Sequence, residues 1–200
     1  MERTELEALV VQKEWDMFQK VNGIGGRAAC QDQMATFIIM RTSQFESWEL
    51  NVVESYLQDL VEAENEGRNL LMEKYAYMME ETDPVYFEQI RKLLPKVTPK
   101  KILLVEKIVT HYMAWVEEFA IAYPHIRKNG RPAEGISLDG TTSLRNYLQS
   151  ELYTYSERTL ELFAGSIISN VELNRYWLSM EKMAQAYGYN NLDEAEADLA

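Results

Sequence analysis

Scarcity of cysteine is the first constraint on this chain. Its one cysteine, Cys30, cannot close an internal disulfide or build a cysteine-cluster metal site, and its isolation fits a reducing compartment. Free cysteines are among the most buried residue types, so Cys30 is expected in the interior rather than as a reactive thiol. Five prolines and nine glycines in 200 residues leave long stretches uninterrupted. No apolar run, such as Thr36 to Met40 or Ile102 to Val105, nears the roughly 20 residues that cross a bilayer. Met1-Glu2-Arg3-Thr4-Glu5 has neither the basic start nor the apolar block of a secretory leader, which points to a cytoplasmic location with no membrane partner.

Positive charge is scarce too. Twenty Lys and Arg face 32 Asp and Glu, a formal net charge of −12, and that field opposes a phosphate polyanion, so no nucleic-acid partner is expected. There are two histidines. Ile108 stands three residues before His111 and Ala122 three before His125, so neither completes the Glu-x-x-His of a di-iron bundle, and no metal or cofactor is expected. The chain has no Gly-x-Ser-x-Gly elbow, Walker loop or kinase signature set, which removes the common hydrolase and phosphoryl-transfer templates.

What is present describes helices. With 46% hydrophobic and 26% charged residues the composition is that of a globular protein, and 200 residues suit one domain over 1–200. Leu6, Leu9, Val10, Met17, Phe18 and Val21 recur at helical spacing up to Asn22-Gly23. Met34, Phe37, Ile38 and Met40 begin a second helix that runs nearly continuously into a third carrying Trp48, Val52, Tyr56 and Leu60, which Gly67 ends. Asn69 to Glu81 follows. Asp83-Pro84 and Thr98-Pro99 each place a capping residue before a proline at the first helical position, and the second helix runs to about Tyr123. Residues 124–141 carry prolines and glycines without a helical period and read as a surface loop. Thr142 or Ser143 caps a helix reaching Leu160 and a break at Gly165; another runs from Ser166 to Tyr187, ending at Gly188, and Leu192 to Leu199 forms a last turn with a frayed end. No period-2 pattern competes, so the fold class is all-α, a single-domain multi-helix bundle of about seven to eight helices.

Two polar constellations stand out. The first is Asn22 to Gln31, where three glycines, Arg27 and the cysteine share one short stretch. Its Gly23-x-Gly25-x-x-Ala28 spacing lacks the preceding strand of a dinucleotide fold. Free amides before a helix can still hold an anion, with Gly25, Gly26, Arg27 and Gln31 as ligand-binding candidates and Arg41 joining them; tight turn geometry explains the same glycines. The second pairs Arg68-Asn69 with Arg145-Asn146. Helical spacing collects Glu73, Lys74 and Tyr75 behind one, and Tyr147, Glu151 and Tyr155 behind the other. A glutamate there with a burial-raised pKa is a candidate acid or base, whereas ion pairing with Arg68 or Arg145 makes it structural.

Asn22 to Gln31, Ile39 to Gln44, Gly67 to Leu70, Glu73 to Ala76, Tyr147-Leu148, Glu151 to Ser156, Tyr187 to Tyr189 and Asn191 to Glu196 together resemble a bacterial family, the domain of unknown function number 4125, over nearly the whole chain. The resemblance implies no activity and carries over no catalytic residue. Three readings stay open. The first is a helical domain that binds a small anionic ligand or a partner protein. The second is an enzyme using the Glu, Tyr and Lys candidates, and the third is a purely architectural homo-oligomer, a dimer.

Overall fold

The computed structural model describes residues 1–23, 26–137, 140–170 and 172–200. Its helices begin where side chains can satisfy the amides that a first turn leaves unpaired. Asn69 accepts from the Met72 amide at the head of α4 (Leu70–Thr82), following α1 (Arg3–Gln19), α2 (Met34–Glu46) and α3 (Leu50–Asn65). Asp83 caps α5 (Pro84–Ile90) and Thr98 caps α6 (Pro99–Ala122), each with proline at the first position as the sequence predicts. Beyond α7 (Pro124–Lys128), Ser143 caps α8 (Leu144–Thr154), Ser156 caps α9 (Glu157–Ser169), Asn174 caps α10 (Arg175–Ala186) and Asn191 caps α11 (Leu192–Asp198). The described residues contain these eleven α-helices, two short 3-10 helices and no strand. No helix is long and apolar enough to cross a membrane.

The fold class is the one read from the sequence, but several breaks are not where the glycines put them. α2 and α3 are separate: Ser47, Trp48 and Glu49 leave the helix so that Trp48 turns inward, 4.6 Å ring to ring from Phe163. Tyr155 is extended (φ −76°, ψ 152°), which ends α8 and buries its ring against Tyr56 at 4.4 Å. Ser156 then starts a new helix that runs through Gly165 without interruption. α9 ends at Ser169, and the next helix starts from the Asn174 cap instead of from Ser166. The stretch 124–141 is not all loop, because Pro124 opens α7, and Glu196 of α11 accepts from the His125 and Ile126 amides at 2.8 Å each. The C-terminal segment is docked rather than frayed: Leu192 and Ala195 are buried where α11 packs on α7 and α10.

One hydrophobic cluster extends from Leu6 to Ala195. α1 lies against α2, α3 and α4; α4 packs on α8, and α6 lies across α8, α9 and α10. α6 buries Val105, Ile108, Val109, Tyr112, Val116 and Phe119 on one stripe. α2 does the reverse of what its apolar residues suggest. Met34, Ile38 and Met40 are exposed, and the residues it buries are Arg41, Ser43 and Phe45.

Two glycines test these boundaries with opposite signs. Gly165 sits exposed inside α9 with nothing within 4 Å of an added Cβ, so Gly165→Ala should raise stability by about 0.5–1 kcal/mol. Gly188 has φ +97° just past α10, so Gly188→Ala should lower it by about 1–2 kcal/mol. Urea denaturation measures both, and a loss at Gly165 would restore a helix break there.

Candidate functional site

Near the middle of α1 a glutamate interrupts the apolar stripe formed by Val10, Val11, Met17 and Phe18. Glu14 is fully buried, so its charge must be matched inside the protein. α2 supplies the match. Arg41 donates from Nε to Glu14 Oε2 at 2.6 Å, and from Nη1 and Nη2 to Glu151 Oε1 of α8 at 3.1 Å each. Lys74 of α4 is a second cation on Glu151. The remaining lone pairs are used as well: Tyr56 of α3 donates to Glu14 at 2.7 Å and Tyr155 to Glu151 at 2.8 Å, while the Gln44 carbonyl accepts from Arg41 at 2.7 Å. Two carboxylates and two cations thus cancel in the core, which is the condition under which buried ions are tolerated.

Charge decides the protonation states. Burial alone would raise the Glu151 carboxyl, but Arg41 and Lys74 together hold it well below the usual carboxylate range. The expectation of a burial-raised acid or base at Glu151 is therefore corrected: the two cations outweigh burial and keep it a carboxylate. Burial pushes the Tyr56 and Tyr155 hydroxyls up, and the carboxylate beside each adds to the rise, so both stay donors. Beyond Glu151, Lys74 Nζ stands 3.5 Å from the Tyr147 ring centroid, and the Arg131 guanidinium lies 4.5 Å from the same centroid.

The other candidates lie elsewhere. Glu73 follows the structural alternative, holding Arg68 through two hydrogen bonds of 2.8 Å, while Arg145 pairs with Glu134 instead of Glu151. Glu73 and Tyr75 line an open groove of about 630 Å³. Its polar lining, including Lys20, Asn22, Glu64 and Arg68, comes from the end of α1 and the α3–α4 junction; its apolar lining includes Met72 and Met79 of α4, Ile90 of α5, and Leu93 and Leu94. Of the six acid-base candidates, Lys74, Glu151 and Tyr155 share the core cluster, Tyr147 covers Lys74, and Glu73 and Tyr75 face the groove.

The glycine-rich stretch proves to be a cover for the end of α1. Gln31 is buried and its side-chain amide donates to the Phe18 and Val21 carbonyls at the end of α1 at 2.8 and 3.0 Å; its side-chain oxygen accepts from the Ala28 amide. Arg27 is bound to Asp32, to Gln19 and to the Gln31 carbonyl. Gly26 adopts φ +83° and donates to the Gly23 carbonyl at 2.9 Å; Gly25 lies outside the described residues. Arg41 does not join this group, since its donors face the core. Cys30 is exposed, contrary to expectation, because it sits in a short 3-10 helix, Ala29–Asp32, in which only Gln31 turns inward. No group of His, Cys, Asp and Glu suited to a metal occurs among the described residues.

Sequence reading passed over Glu14 and Tyr56. The signal for Glu14 was available: a charged residue at helical spacing within an apolar stripe. Tyr56 looked like any core aromatic.

Fold and site together define an all-helical protein with a neutralised ion cluster in its core and an amphipathic groove beside it. The chain belongs to the family described as "Protein of unknown function (DUF4125)", whose model matches residues 4–197. No curated protein and no solved structure matches it.

Arg41→Met would leave two buried carboxylates facing one lysine and should cost about 3–5 kcal/mol, read from urea denaturation at neutral pH. The sign of the pH effect follows from the depressed Glu151 carboxyl. The unfolded chain binds the extra proton, so stability is complete above the unfolded value and is lost as pH falls toward the folded one. The urea midpoint should therefore drop from about pH 4.5 downward, and Glu151→Gln should flatten that limb. A limb unchanged in Glu151→Gln would show that other carboxylates set it.

Proposed function

We propose that this chain is a binding protein whose groove holds a small molecule with an apolar body and one anionic group. The carrying observation is the groove itself. Its volume of about 630 Å³ falls within the usual range for small-ligand sites, and methionine and aliphatic side chains dominate the part lined by α4 and α5. Met72 and Met79 supply flexible, polarizable surface that adapts to an apolar body.

Lys20 supports the anionic end. It lines the groove, and among the described residues no carboxylate lies within ion-pair distance of it: Glu64 is taken by Lys13, and Arg68 by Glu66 and Glu73. Arg27 is held through Nε and Nη2 by Asp32, Gln19 and the Gln31 backbone carbonyl, and Gln31 and Arg41 are engaged within the chain, which favours this neighbouring hollow over the glycine-rich stretch for the anion. The enzyme reading is weaker, since Lys74 and Glu151 are both buried and paired with one another, and Glu151 is also held by Arg41.

Calorimetry and thermal shift with medium-chain carboxylates test the proposal. Saturable binding should raise the melting temperature, with about 2.7 kcal/mol of stabilisation at a hundredfold excess over Kd. Lys20→Ala should weaken binding about two- to fivefold. Met79→Trp, which fills the groove, should abolish it while the variant still melts cooperatively. Wild-type binding by Met79→Trp would remove the groove from consideration.

A further inference from the structure

We propose that Lys101 is a reactive amine that takes a small neutral aldehyde or ketone as a Schiff base in a second, smaller hollow. This hollow is about 150 Å³, and its lining includes Asp59, Glu62, Glu66, Arg68, Lys101 and Ser156. The inference is independent of the groove reading.

Two adjacent lysines in the first turn of α6 have opposite surroundings. Lys100 reaches out to Glu157 at 3.3 Å and Glu161 at 2.6 Å, and both hold its ammonium form. Lys101 turns in. Its Nζ donates to the Tyr153 carbonyl at 3.1 Å, and among the described residues no carboxylate comes within ion-pair distance. Asp59, one of the acids lining the hollow, accepts from the Ser156 amide at 2.9 Å. Burial lowers the Lys101 amine, and Arg68 lowers it further; Asp59, Glu157 and Glu73 act the other way and do not overcome burial. The positive end of α6 also disfavours a cation there, whereas the Tyr153 carbonyl at the end of α8 favours one. Neutral amine is the nucleophilic form, so Lys101 presents a larger share of it at neutral pH than an exposed lysine does.

The chemistry balances without an added oxidant or reductant. The Lys101 nitrogen lone pair attacks the carbonyl carbon and forms a C–N bond. The carbonyl oxygen then leaves as water, taking both amine protons, and an imine remains. Volume restricts the partner to a few heavy atoms. Asp59, Glu62 and Glu66 set three carboxylates against two cations, which disfavours carbonyl compounds that carry their own carboxylate.

Limiting acetaldehyde with sodium cyanoborohydride at pH 7, followed by peptide mass mapping over time, reads this directly, since the hydride reagent fixes each imine as an ethylamine. Lys101 should be ethylated severalfold faster than Lys100 and Lys107, with the lead narrowing as pH approaches that of free lysine. Lys101→Arg should melt like the parent chain and lose only the fast product. Ethylation of Lys101 at or below the rate of Lys100 and Lys107 would overturn the proposal.

Discussion

A single guanidinium bound to carboxylates on two different helices sets the terms for the rest of this protein. Arg41 reaches Glu14 on α1 and Glu151 on α8, and both carboxylates are buried. Neither can be left unmatched at tolerable cost, so the relative positions of α1, α2 and α8 are fixed to hydrogen-bond accuracy. Lys74 adds α4, and Tyr56 adds α3. The orientation of α2 follows as well. α2 turns Arg41, Ser43 and Phe45 inward, while Met34, Ile38 and Met40 of the same helix are exposed. Such a cluster contributes little net stability compared with apolar packing; what it contributes here is one arrangement of five helices over others that would bury the same hydrophobic area.

The cluster and the groove meet on one helix. Successive residues of α4 face different surroundings: Glu73 holds Arg68 at the groove, Lys74 enters the core to Glu151, and Tyr75 lines the groove again. Met72 and Met79 of the same helix complete much of its apolar surface. The position of the groove wall therefore depends on the ion pair behind it, and a change at Lys74 or Glu151 acts on the groove without touching anything in it.

Much of the fold was legible because its start signals are local. Asn69, Asp83-Pro84, Thr98-Pro99 and Ser143 announce helices through hydrogen bonds that span three residues. The breaks at Ser47–Glu49 and Tyr155 were not legible, because they exist to place Trp48 and Tyr155 in a core built from distant segments. Gly165 misled for the same reason, in that glycine permits a break without requiring one. At the candidate site, Lys74, Glu151 and Tyr155 could be grouped from their spacing on two helices. Glu14 and Arg41 could not be joined to them, since no short-range pattern records which buried acid meets which base across 27 or 110 residues. The groove was equally hidden, being assembled from the end of α1, the α3–α4 junction and the α5 region.

Arg41 and Glu151 act as one unit in holding the bundle. A double-mutant cycle with Arg41→Met, Glu151→Gln and the combined variant measures it, using urea denaturation at neutral pH. The expected coupling free energy is about 2 kcal/mol or more, with the double variant less impaired than the two single losses added together. Strict additivity, with coupling indistinguishable from zero, would contradict it.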